Sequence, residues 1–127
     1  MARILVIDDD VNIRTLIERH LMFDGHEVDL AENGKEGLQL VWLHKYDLVI
    51  TDVFMPKRDG FEVMTELRRL SPPVRVIVIT GGGADFSSTE ILDMMRVMKA
   101  NRGLSKPFDF DVLMTAVREE LAAVKPT

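Results

Sequence analysis

The sequence predicts an α/β fold, a doubly wound, three-layer parallel sheet built from five strand–helix repeats. Three observations carry this. Short apolar runs rich in β-branched residues end on polar ones, as in Ile4-Leu5-Val6-Ile7 before Asp8, and Leu48-Val49-Ile50 before Thr51-Asp52. Segments with apolar residues at helical spacing lie between these runs. The run that ends on Asp52 is apolar without alternation, the pattern of a strand buried on both faces. Strands alternating with helices of this length pair in parallel through right-handed crossovers, and the helices cover both faces.

Each element has its own signal. Residues 4–7 form the first strand, and Asp8-Asp9-Asp10 ends it. Ile13, Leu16, Ile17 and Leu21 recur at helical spacing, and Gly25 suits a left-handed C-cap. Residues 27–31 alternate in polarity, which suits an edge strand. Asn33 and Glu36 have capping-box spacing, and the helix after them carries Leu38, Val41 and Trp42, with Trp42 read as packing. Residues 47–52 are the central strand. Asp59 and Glu62 repeat the capping-box spacing, and Phe61, Met64 and Leu67 give the next helix its buried face. Ser71-Pro72-Pro73 is a stop, and residues 74–80 form a buried strand ending on Thr80. After Gly81-Gly82-Gly83, Ser87 and Glu90 cap a fourth helix, where Ile91, Met94, Met95 and Met98 share a stripe. Residues 103–105 make a short fifth strand ahead of Lys106-Pro107. Asp109 caps the last helix, whose inner face holds Leu113, Val117 and Leu121.

A chain of 127 residues suits one domain, read here as residues 1–127 with a core at about 2–123. The formal net charge of -5 argues against a basic nucleic-acid-binding face. Cysteine is absent, which excludes disulfides and thiolate metal sites and fits a reducing, cytoplasmic setting. No stretch reaches membrane-helix length, and the N-terminus enters a strand with no apolar signal region. His20, His26 and His44 are scattered, without metal-ligand spacing, and read as surface or helix-end residues.

In such a sheet the loops after strands one, three, four and five gather at one edge, where open α/β sheets bind ligands. That brings Asp8, Asp9, Asp52, Thr80 and Lys106 together. Clustered carboxylates need a cation, or else a raised pKa on one of them. An all-oxygen donor set favours a hard ion, Mg2+ or Mn2+ rather than zinc. With a lysine ammonium and a threonine hydroxyl added, the set suits phosphoryl transfer to a carboxylate. No Walker loop or glycine-rich nucleotide fingerprint follows strand one, so the donor is not expected to be a nucleotide bound by this chain.

The segments Ile4-Leu5-Val6-Ile7-Asp8-Asp9, Asp52-Val53-Phe54-Met55-Pro56-Lys57-Arg58-Asp59-Gly60, Thr80 and Lys106-Pro107-Phe108, in this order and at these separations, resemble the receiver domain of two-component response regulators, of the chemotaxis-regulator kind. The likeness covers nearly the whole chain. It implies a flavodoxin-like sheet in the order 2-1-3-4-5. It implies that Asp52 accepts a phosphoryl group from a sensor histidine kinase or a histidine phosphotransfer protein. By the same resemblance Asp9, Asp52 and the backbone carbonyl of Phe54 ligate Mg2+, with Mn2+ as a substitute, and Asp8 acts through water. Thr80 and Lys106 contact the phosphoryl oxygens, and the Lys106–Pro107 bond is cis. The protein then works as a phosphoacceptor, not an enzyme with separate substrates, and passes its signal to a downstream protein rather than to nucleic acid or a membrane.

Two other readings use the same residues. Asp8 and Asp10 match the spacing of haloacid-dehalogenase-type phosphatases, with Asp8 as nucleophile and Asp52 as accessory. The chain is short for that family, and Lys106-Pro107 fits it poorly. A phosphorylation-independent interaction module is the other. It gains weight from Gly103, which stands where receivers commonly carry an aromatic switch residue. The segment between Thr80 and Lys106 also looks about four residues longer than is usual in receivers, with the excess at residues 81–88. That glycine-rich loop, with Phe86, is then the expected switch: mobile without phosphate and ordered with it. Phe54 and Gly82 occupy the positions that flank an attacking water, and neither side chain can hold one, so a long-lived phospho-Asp52 is expected. No output domain is visible after the last helix, which leaves a stand-alone regulator or a receiver from a longer chain.

Overall fold

The computed structural model describes residues 2–52, 59–70, 74–80, 101–105 and 108–123, without the side chains of 59–61, Thr80 and Ser105. Its elements run β1 (Arg3–Ile7), α1 (Val11–Phe23), β2 (Glu27–Ala31), α2 (Gly34–Leu43), β3 (Leu48–Asp52), α3 (Asp59–Arg69), β4 (Arg75–Thr80), β5 (Arg102–Ser105) and a C-terminal helix (Phe110–Ala122). The five strands form one sheet in the order β2-β1-β3-β4-β5, and every neighbouring pair is parallel. The expected flavodoxin-like sheet is therefore present. The expected fourth helix, the loop at 81–88 and the stop at 71–73 lie outside the described residues.

Alternation along the strands divides the core in two. Leu5, Ile7, Val49, Val76 and Val78 face one side and pack with Val41 of α2 and Val63, Met64 and Leu67 of α3. Ile4, Val6, Leu48, Ile50, Ile77 and Ile79 face the other and pack with Ile17 and Leu21 of α1 and Leu113, Met114 and Val117 of the C-terminal helix. This is why β1 and β3 read as unbroken apolar runs: both of their faces are covered. β2 lies at the edge, and only Ala31 of it is fully buried.

The helix ends follow local chemistry. Asp10, with extended backbone, accepts hydrogen bonds from the N–H groups of Asn12 (2.9 Å) and Ile13 (3.3 Å). Asn33 accepts from Glu36 N–H at 2.8 Å. Gly25 has φ +87°, the left-handed turn that closes α1, and its N–H reaches the Met22 carbonyl at 2.9 Å. At Gly37 the helix approaches β1 so closely that a Cβ would run into the Ile7 side chain.

Four expectations change. Trp42 is 63% exposed, because it sits one residue round the helix from buried Val41. Leu16, next to buried Ile17, likewise leans outward at 38% exposure. Asp59 lies inside α3 as its first residue rather than before it as a cap. Asp109 stands at the N-cap of the C-terminal helix, but its side chain makes no capping bond, and its carbonyl accepts from Val112 and Leu113 instead.

One buried acid was not anticipated. Glu120, on the inner face of the C-terminal helix, is 5% exposed. Its Oε1 accepts from Arg75 of β4 (2.7 and 3.1 Å) and its Oε2 from Arg102 of β5 (3.1 Å). A second polar cluster joins β1, β2 and the segment before β3. Asp29 accepts from the Arg3 guanidinium at 3.0 Å and from the Tyr46 hydroxyl at 2.7 Å.

Candidate metal and phosphoryl site

The sheet register fixes the site. Ile7 is level with Thr51, so Asp8 follows β1 alongside Asp52, the last residue of β3. Asp8 N–H continues the β1–β2 ladder to the Ala31 carbonyl at 3.1 Å. Asp52 is level with Ile79, so Thr80 ends β4 one residue further on. Thr80 is level with Ser105, and Lys106 comes next in sequence. The strands thus end together at their carboxyl ends, where the topology places the ligand edge.

At this edge one carboxylate oxygen each from Asp8, Asp9 and Asp52 lies within 4.8 Å of the other two. Asp8 is fully buried, Asp52 is 3% exposed and Asp9 faces solvent. The turn that carries them is tightly tied. Asp8 Oδ1 accepts from Asp10 N–H at 2.9 Å, and the Asp8 carbonyl accepts from the Arg14 guanidinium at 2.7 Å. The Thr51 hydroxyl donates to the Asp52 carbonyl at 3.1 Å. Three oxygen donors, two enclosed and one open to water, fit a hard divalent cation that keeps part of its hydration shell. Among the described residues no nitrogen or sulfur ligand joins this cluster, which disfavours zinc.

The structure brings together Asp8, Asp9 and Asp52. It places Thr80 at the end of β4 without its side chain, while Phe54, Lys106 and Pro107 lie outside the described residues. Gly103 is in β5, level with Val78. Arg14 was missed from sequence. The signal was there: a cation in the first turn of a helix opposes the helix dipole and calls for a specific partner.

Comparison with known proteins decides the family. Residues 4–118 match the response regulator receiver domain. The chain belongs to that family. It is a receiver domain of response regulators, a module of phosphorelay signalling. It is 36% identical over 125 residues to the response regulator MprA of Mycolicibacterium vanbaalenii, aligning 98% of this chain with 52% of that protein. The chain therefore spans about half the length of the curated relatives it matches. Among solved structures it resembles the chemotaxis response regulator CheY4 of Vibrio cholerae, with TM-score 0.84, 29% identity and coverage of 94% and 98%. It also resembles TrrA of Thermotoga maritima, solved in complex with Mg(2+)-BeF, with TM-score 0.80, 38% identity and coverage of 94% and 99%. Among the described residues no helix is long and apolar enough to cross a membrane.

Proposed function

We propose that this receiver accepts a phosphoryl group on Asp52 from a phosphohistidine of a sensor histidine kinase or a histidine phosphotransfer protein. The observation that carries the reading is the buried Asp52 carboxylate at the tip of the central strand, within 4.8 Å of two further carboxylates. A carboxylate oxygen of Asp52 forms the new O–P bond as the P–N bond breaks, and the imidazole leaves with its electron pair. Bound Mg2+, or Mn2+ in its place, supplies charge neutralisation for the equatorial oxygens. Asp9 and Asp52 would hold it directly, with the Phe54 carbonyl, and Asp8 would hold it through water. Thr80, the last residue of β4, and Lys106, next in sequence after β5, would orient the phosphoryl oxygens.

In this reading the protein catalyses only its own phosphorylation and dephosphorylation, acts in the cytoplasm as one folded domain, and signals through protein contacts. Phospho-Asp52 is long-lived, since Phe54 and Gly82 cannot position a water, and Phe54→Asn shortens its lifetime. Gly103 in β5 supplies no ring, so the signal leaves through another element, for which residues 81–88 are the candidate.

Intact-mass measurement after incubation with acetyl phosphate and Mg2+ tests the chemistry. One phosphoryl adduct is expected, absent from Asp52→Asn. An adduct that survives in Asp52→Asn, or phosphate-ester turnover without Asp52, would overturn the assignment in favour of a nucleophile at Asp8.

A further inference from the structure

We infer that Arg14 is a positioning residue for the acidic pocket: its guanidinium holds the β1–α1 turn so that Asp8 and Asp9 meet Asp52. The inference rests on the reading of that pocket as a cation site. Arg14 belongs to the first turn of α1, where the helix dipole disfavours a positive charge, and that turn has no acidic residue to offset it. The side chain nevertheless bends back six residues to the Asp8 carbonyl, at 2.7 Å. A bond this short from a charged donor is a strong tether.

Its target is the pivot of the turn. The Asp8 N–H is tied to β2 through Ala31 at 3.1 Å, and its Oδ1 receives Asp10 N–H at 2.9 Å. Asp10 in turn accepts from Asn12 and Ile13 and passes its carbonyl to Arg14 N–H at 2.9 Å. Arg14 closes the circuit from helix back to strand. Without it, the turn keeps the Asp8–Ala31 bond and the bonds through Asp10 and loses the direct side-chain tether from the helix to the peptide that carries Asp9. Asp9, the exposed member of the cluster, is the residue this loss displaces most.

Charge and position predict opposite signs, so the role can be decided. A guanidinium acting only as a neighbouring charge repels a divalent cation, and its removal tightens Mg2+ binding. A guanidinium that positions the ligands weakens binding when removed, by roughly tenfold, as for other groups that orient metal ligands. Calorimetric Mg2+ titration of wild type, R14M and R14K measures this, with amide exchange of Asp9 and Asp10 in the metal-free proteins. R14M should raise the Mg2+ dissociation constant about tenfold and speed both amides, with R14K between it and wild type. Circular dichroism melts confirm that the folded fraction is being titrated, since a variant that merely loses stability keeps wild-type affinity when folded. Equal or tighter Mg2+ binding by folded R14M would overturn the inference while leaving the cation site intact. Absence of Mg2+ binding by the wild type would remove the cation site and this inference with it.

Discussion

Among the described residues the fold buries carboxylates in two places and treats them in different ways. On the inner face of the C-terminal helix, Glu120 divides its two oxygens between Arg75 and Arg102, one from each of the last two strands. At the carboxyl ends of β1 and β3, Asp8 and Asp52 are as deeply enclosed, yet they share their space with a third carboxylate, Asp9. The first arrangement satisfies acids with bases and fixes two strands to a helix. The second groups like charges, which folding tolerates where a cation relieves them. Burial alone therefore does not mark a functional acid. What sets the second place apart, among the described residues, is that three carboxylates meet there.

The largest effect tests the structural acid. Glu120→Ala strands the Arg75 guanidinium, leaves Arg102 to Glu119 alone at 2.7 Å, and should destabilise the protein by about 2–3 kcal/mol. The figure is held below that of a fully buried pair because both arginine side chains are 32% exposed. Urea unfolding measures it. A loss under about 0.5 kcal/mol would make Glu120 no more than a surface partner. Next comes the acid cluster. With a dissociation constant near 1 mM, about 10 mM Mg2+ should stabilise the wild type by about 1.4 kcal/mol through mass action. Asp9→Asn should lose that response, while its metal-free melting temperature stays at or above the wild-type value, because one like charge is gone. A metal-free melt well below wild type would mean that Asp9 is held by attraction, and the contrast between the two regions would fail.

The smallest effect concerns Asp29, a third, half-exposed case. Burial pushes its carboxyl up, but the hydrogen bonds from Tyr46 and Arg3 and the Arg3 charge outweigh that and hold it below its ordinary value of 3.8. Folding thus favours the charged form. The stability it contributes is complete above 3.8 and lost as pH falls through the lower folded value. Burial and the same Asp29 bond push the Tyr46 hydroxyl above its usual range, so it remains a donor throughout. Tyr46→Phe should cost about 0.5–1 kcal/mol at neutral pH, and the difference from wild type should shrink under acid. Urea unfolding at neutral and acid pH checks both. A penalty independent of pH would assign the effect to packing.

The sheet was legible because its strands announce themselves. β1, β3 and β4 are apolar on both faces, and β2 shows its edge position by alternation. The acidic cluster was legible for the same reason, since Asp8, Asp9 and Asp52 each follow such a run. Trp42 and Leu16 misled because apolar identity was read as burial, whereas the angle around the helix decides it. Glu120 was hidden for another reason. Its position three residues after Val117 does mark the inner face, but its partners lie 45 and 18 residues away, and only the packed helix brings them together. Arg14 was visible as a misplaced charge, but its target, a backbone carbonyl, leaves no trace in a residue code.

The level alignment of Ile7 with Thr51 and of Asp52 with Ile79 makes the pocket a matter of parity. Side chains on a strand alternate between faces, so one residue inserted within residues 4–7 or 48–51 reverses every side chain beyond it and turns a carboxylate away from its companions. The same insertion in the connection at residues 44–47, at the opposite edge of the sheet, changes no parity. Natural length variation, circular permutation and grafted segments should therefore be accepted at that opposite edge and rejected inside β1 and β3, whatever residues are inserted. A library of single-residue insertions scored by Mg2+-dependent melting would show this as intolerant bands at residues 4–7 and 48–51 and a permissive one at 44–47.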